Sequence, residues 1–176
     1  MCINLDDIIF ERLNPQHNVA GFCCGEEDVD YNLTSGRNLE YQRKGLGTTT
    51  VALYKNQIVG FYELRCAEVE IDKKAVEQLR LSHICFLPVV EISLFGVRKS
   101  YQKCGIGRIM LENLLDESIF AKDWLGFSHL FVKAKSNAVN WYVKQGFEKT
   151  DLETYDELIH MRLPVPDSYE VEQGLF

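Results

Sequence analysis

A chain of 176 residues, 46% of them apolar, is long enough to bury one substantial core and short enough to be one domain. Its net charge of −7 weakly disfavours a run of phosphates as partner, and no apolar stretch approaches the roughly 18 residues that span a bilayer. Six scattered cysteines, with no Cys-x-x-Cys and no histidine at zinc spacing, exclude an obvious metal site and predict reduced, mostly buried thiols. The N-terminus lacks a basic region followed by an apolar one, which leaves the cytoplasm as the default compartment.

Residues 3–13 carry Ile3, Leu5, Ile8, Ile9, Phe10 and Leu13 and predict a first strand with its lead-in. Glu26, Glu27 and Asp28 suit a helix start, so a short helix is expected near 26–33. Ser35 is positioned to cap a second helix to about Lys44, with Gly45 just past its end. The basic residues Arg37, Arg43 and Lys44 on it read first as a solvated face. Two β-branched and apolar runs, 48–54 and 58–64, predict a hairpin with a three-residue connection at Lys55, Asn56 and Gln57. Asp72 caps a predicted helix from Lys73 to Leu81.

Pro88 leads into an apolar run, Val89 to Val97, that predicts a buried central strand. Apolar residues at Ile106, Ile109, Met110, Leu111, Leu114 and Leu115 follow at the spacing of one helix face. A strand at 130–134 comes next. A helix beginning near Ser136 or Asn137 and ending at Gly146 precedes a last strand region, Phe147 and 158–163. The expected domain is 1–166, with 167–176 a loose tail. The order β, α, α, β, β, α, β, α, β, α, β is that of an α/β domain whose mixed sheet is antiparallel first and parallel around the central strand.

Between that strand and the following helix lies Gln102-Lys103-Cys104-Gly105-Ile106-Gly107-Arg108. A glycine turn that opens a helix aims free N–H groups at an anion, and the helix start adds partial positive charge. It is not a Walker A loop, and Met110 stands where a dinucleotide fingerprint has its third glycine. Cys104 sits where a thiolate is favoured. The histidines 17, 83, 129 and 160 are isolated in sequence and read as structural.

The whole string, Gln-x-x-Gly-x-Gly after a strand ending in Val97, resembles the acetyl-CoA pyrophosphate loop of the GNAT (Gcn5-related N-acetyltransferase) superfamily. Asn137-Ala138-Val139-Asn140-Trp141-Tyr142, followed by Gly146-Phe147, is similar to that family's later helix. The N-terminal half, from Phe22-Cys-Cys-Gly25 through Tyr41-Gln42-Arg-Lys-Gly45 to Val59-Gly60-Phe61-Tyr62, more loosely resembles a branch of toxin-like acetyltransferases, some of which modify aminoacyl-tRNA. The resemblance implies a GNAT-like, centrally splayed sheet flanked by helices.

The activity it implies is transfer of an acetyl group from acetyl-CoA, as cosubstrate, to a primary amine. Main-chain groups of Phe95, Gly96 and Val97 would hold the pantetheine, and amides from Gln102 to Arg108 the pyrophosphate. Tyr142 matches the family's general acid. Glu91, eleven residues before Gln102, matches a general base, which burial in an apolar strand would tune. Asn137 resembles a CoA-contacting asparagine, although Lys135 occupies the family's usual position for it, and Asn137 could instead cap its helix. The acceptor, whether small molecule, peptide or aminoacyl-tRNA, stays open, as do a homodimer and a non-catalytic acetyl-CoA-binding module.

Overall fold

The computed structural model describes residues 3–80, 83–152 and 157–174. The sheet is mixed and seven-stranded, in the order β1 (Ile9–Arg12), β2 (Thr48–Tyr54), β3 (Gln57–Glu70), β4 (Phe86–Val97), β5 (His129–Ala134), β7 (Ile159–Pro164) and β6 (Glu148–Lys149). Two compact units divide the chain: Met1–Arg65 with Ser93–Leu115, and Cys66–Ile92 with Asp116–Phe176.

In the first unit β1 and β2 are antiparallel from Ile9↔Leu53 to Arg12↔Thr50, and β2 and β3 from Thr48↔Leu64 to Tyr54↔Gln57. Gln57 already pairs, so the hairpin connection has two residues rather than three. Lys55 and Asn56 both take positive φ (49° and 63°), the two-residue turn whose twist matches that of the strands it joins. The helices α1 (Glu27–Thr34) and α2 (Arg37–Arg43) cover one face. Gly36, at φ 80°, precedes α2 where Ser35 was expected to cap it, and Gly45 ends it at φ 69°, as expected of a C′ glycine. Leu13, Phe22, Leu33, Val51, Leu53, Ile58 and Phe61 form the core beneath these helices, with Val29, Leu39 and Leu94 packed on it. Ile106, Met110, Leu111 and Leu114 are the buried stripe of α4 (Ile106–Lys122). A Cβ on Gly60 would run into Met110 Sδ, so that strand position needs glycine for the helix to lie this close.

In the second unit Asp72 caps α3 (Lys73–Leu79) by accepting the Ala75 amide at 2.7 Å. Ala75, Leu87, Val89 and Phe131 form a core there. The parallel ladder of β4 with β5 has three residue pairs and ends at Glu91↔Phe131. Strand β7 is antiparallel to β5 over six pairs and to β6 over two. Helix α5 (Val139–Lys144) starts after Ala138, so neither Ser136 nor Asn137 caps it, and Gly146 at φ 93° follows its end. The expected loose tail contains instead a short helix, α6 (Ser168–Glu172). Before it, the Asp167 carboxylate accepts the Glu170 amide at 2.7 Å, and the Glu170 carboxylate accepts the Asp167 amide at 3.0 Å. Among the described residues no helix is long and apolar enough to cross a membrane. The thiols are less buried than expected: of those described, Cys24 is buried, Cys104 intermediate, and Cys23, Cys66 and Cys85 exposed.

Candidate active site

The glycine turn belongs entirely to the first unit. Its approach is stitched down by main-chain and side-chain bonds. The Arg98 amide donates to Val59 O at 2.8 Å, and the Lys99 amide to Cys23 O at 2.8 Å. The Arg98 guanidinium donates to Ile58 O (2.8 Å) and Gly21 O (2.7 Å) and lies over the Phe22 ring. Gln102 uses its side-chain NH₂ on two carbonyls, Cys24 O at 2.7 Å and Val97 O at 3.0 Å. The glutamine of the motif is therefore a brace, tying the turn to the end of β4 and to the Cys23–Gly25 loop. That loop is itself held by Asp30, which accepts the amides of Cys24 and Gly25. Against the upward push of burial, those bonds keep the Asp30 carboxyl below its usual range, while burial pushes the Cys24 thiol up to about 12.

Beyond Gln102 the chain turns sharply. Lys103 and Gly105 take positive φ (62° and 88°), and Ile106 opens α4 with Gly107 as its second residue. The left-handed glycine is Gly105 alone. Gly107 is helical, so its value is small size in the first turn rather than an unusual φ. The amides of Gln102 and Arg108 are already engaged, by Lys99 O (3.4 Å) and Gly105 O (3.1 Å). Among the described residues nothing accepts from the amides of Lys103, Gly105, Ile106 and Gly107. These four donors, at the start of a 17-residue helix and beside a left-handed turn, are a candidate anion cradle. The residues present thus fit a diphosphate. Lys103 is exposed, Cys104 half-buried, and the Arg108 side chain is bonded at 2.8 Å to Glu112.

Phe95 and Val97 are partly buried on β4, and Gly96 is buried. A Cβ on Gly96 would meet Val29 Cγ1 at 3.0 Å, Phe61 Cε1 at 3.3 Å and Cys24 Sγ at 3.4 Å, so any larger residue there crowds its neighbours. The buried positions of β4 change parity between Val89 and Ile92, just before this segment.

Tyr142 and Glu91 belong to the second unit. Tyr142 is 6% exposed, edge-on to Trp141 (4.9 Å) and Phe147 (5.2 Å). Burial pushes its hydroxyl pKa above the usual value, so it keeps its proton throughout the neutral range. The Glu91 side chain is 21% exposed, with Lys133 Nζ 3.9 Å away. It is not the deeply buried lone carboxylate that its apolar neighbours suggest. Asn137 is exposed in the turn before α5.

Sequence reasoning passed over a second acidic residue. Glu63, on β3 in the first unit, is 1% exposed and takes donors on both oxygens. Oε1 accepts from Arg65 Nε (2.9 Å), Arg65 Nη2 (2.6 Å) and Ser93 Oγ (2.9 Å). Oε2 accepts from Asn38 Nδ2 (2.5 Å) and Thr49 Oγ1 (3.4 Å). The available signal was a carboxylate directly after the apolar run 58–62, in a stretch where every position from 58 to 63 is buried.

The chain from residue 37 to residue 163 matches the family model of the acetyltransferase (GNAT) domain. The chain belongs to the GNAT acetyltransferase family. No curated protein matches it. Among solved structures, AtaT complexed with acetyl-methionyl-tRNAfMet is similar at 19% identity and a TM-score of 0.82, over 97% of this chain and 100% of that one. A tyrosine-to-phenylalanine variant of KacT is similar at 20% identity and 0.80, over 97% and 99%. A tyrosine-to-phenylalanine variant of the AtaT toxin, bound to acetyl-CoA and to the C-terminus of the antitoxin AtaR, is similar at 22% identity and 0.75, over 96% and 99%. At these identities the likeness is one of fold.

Proposed function

We propose that this enzyme acetylates a primary amine by direct attack on the thioester, and that the amine is the α-amino group of an aminoacyl-tRNA. The observation that carries donor binding is the row of four amides, Lys103, Gly105, Ile106 and Gly107, that nothing among the described residues engages. They take the diphosphate of the donor, and the main chain of Phe95, Gly96 and Val97 takes its pantetheine. Cys104 and Arg108 flank the cradle, and Gln102 supports it from behind. Tyr142, held protonated by burial, gives its proton to the departing thiolate. Glu91 accepts the proton that the amine must lose, directly or through water, with Lys133 Nζ 3.9 Å from it. Asn137, exposed in the turn before α5 and not its cap, is kept as the side chain that contacts the CoA portion of the donor.

The acceptor reading rests on the likeness in fold to AtaT, solved with acetyl-methionyl-tRNAfMet. The net charge of −7 argues the other way, for a compact cationic amine. Calorimetry with acetyl-CoA tests the donor: no binding at millimolar ligand removes the reading, and Gly107→Glu abolishes binding by bulk and charge in the cradle. An acetylation screen over aminoacyl-tRNA, peptides and polyamines tests the acceptor. Transfer to the tRNA, together with growth arrest on expression that Tyr142→Phe relieves, is the expected result. Robust transfer to peptides or polyamines with normal growth replaces it. Binding without transfer to any acceptor would leave a non-catalytic module.

A further inference from the structure

The Glu63 cluster is the most elaborate polar construction in the first unit, and the chemistry above does not use it. Its members come from four elements: Asn38 from α2, Thr49 from β2, Glu63 and Arg65 from β3, and Ser93 from β4. Thr49 and Glu63 are opposite partners in the β2–β3 ladder, so both side chains stand on one face. Asn38 is fully buried, and its Nδ2 must face the carboxylate, because the reverse orientation would set two acceptors against each other. Five donors converge on one carboxylate that the solvent does not reach. Burying such a group is costly unless every donor is fixed, so the geometry is tightly determined.

Ser93 is the only β4 residue in this set. Its hydroxyl donates at 2.9 Å to Glu63 Oε1 and lies 3.2 Å from Glu63 O, so it is held against both the side chain and the main chain of β3. Ser93 stands two residues before Phe95 and four before Val97, the stretch assigned to the pantetheine arm. Leu94 packs on the core beside it, and the Ser93 hydroxyl adds a directed polar tie to this part of β4.

We propose that Glu63 is a positioning residue that acts through Ser93. It sets the path of 94–97, and so where the acetyl-thioester end of the donor lies, without contributing to the grip on the diphosphate. This rests on the acetyl-CoA reading above. The two ends of the donor should therefore respond separately to changes at this cluster.

The test is calorimetry on the full chain with two ligands: acetyl-CoA, and adenosine 3′-phosphate 5′-diphosphate, which keeps the diphosphate and lacks the pantetheine. Ser93→Ala removes one hydroxyl from a half-buried position and leaves the fold intact. Glu63→Asp withdraws the carboxylate from Ser93 while keeping its charge for Arg65. Both variants should lose about tenfold in affinity for acetyl-CoA, the scale of one hydrogen bond to a charged group, and keep their affinity for the nucleotide. The double variant should lose no more than Ser93→Ala alone, and Ser93→Thr should restore the wild-type value. Equal losses for both ligands, no loss for either, or additive losses in the double variant would each overturn the proposal. Wild-type protein that binds neither ligand would bring down the acetyl-CoA reading itself, an outcome separate from any difference between variants.

Discussion

Tyr142 and Gly105 carry the sharpest expectations at the scale of single residues. In the proposed reaction the Tyr142 hydroxyl delivers a proton, and its aromatic setting against Trp141 and Phe147 survives loss of that hydroxyl. Tyr142→Phe should therefore lower turnover by about 10²–10⁴ while leaving acetyl-CoA affinity nearly unchanged, as steady-state kinetics beside calorimetry will read. Gly105→Ala meets two obstacles: φ is 88°, and the new methyl would lie 3.1 Å from Leu5 Cδ1. The turn should relax away from its left-handed path and weaken acetyl-CoA binding by about tenfold or more, with a stability loss of roughly 1 kcal/mol or above. Unchanged affinity in that variant would mean the cradle does not depend on this backbone shape.

At the scale of elements, α3, β7 and the segment at Asp151 are tied together by one buried carboxylate. Asp72 accepts the Ala75 amide at 2.7 Å, the Arg162 guanidinium at 2.8 Å and the Asp151 amide at 3.1 Å, and Arg162 also reaches Gln78 at 3.2 Å. Burial pushes the Asp72 pKa up, but the Ala75 amide and then Arg162 hold it below the ordinary carboxylate value. Asp72→Asn keeps the helix cap and leaves Arg162 buried without its counter-ion. The expected cost is about 3–5 kcal/mol, a fall in Tm of about 10 °C. The pair of substitutions Asp72→Asn and Arg162→Met should recover much of that loss, because an uncompensated charge is costlier than no charge. A thermal melt of the three proteins decides it. A different element-level constraint acts on β4, where Gly96→Ala must displace Val29, Phe61 or Cys24 and should destabilise the first unit.

For the whole molecule, acidity is the informative variable. His129 is 2% exposed, and burial, followed by the positive charges of Arg162 and Lys122, holds its pKa at about 4 against an ordinary 6.5. The folded protein thus refuses a proton that the unfolded chain accepts. Stability should fall as pH drops from about 6.5 to about 4, by about 3 kcal/mol for this group, and then level off for it. The loss of the Asp72 contribution follows at still lower pH, as that carboxyl is protonated below its ordinary value. Denaturant midpoints across this range should show the decline, and His129→Gln should flatten its upper part. The glycine turn, the order of elements and the family were legible in the sequence because each rests on short-range rules. Glycine at a left-handed turn, apolar spacing along α4 and the Gly146-Phe147 boundary are written within a few residues of where they act. The two-residue hairpin turn and the helix in the tail escaped, since those were decided by strand twist and by one reciprocal carboxylate–amide exchange. The Glu63 cluster and the Asp72–Arg162 pair were out of reach for a different reason. Their partners lie 25, 30 and 90 residues apart in sequence, and a buried ion is stable only where folding brings its counter-charge and donors to it. Periodicity tells which face of a strand is covered; only the tertiary structure decides what covers it.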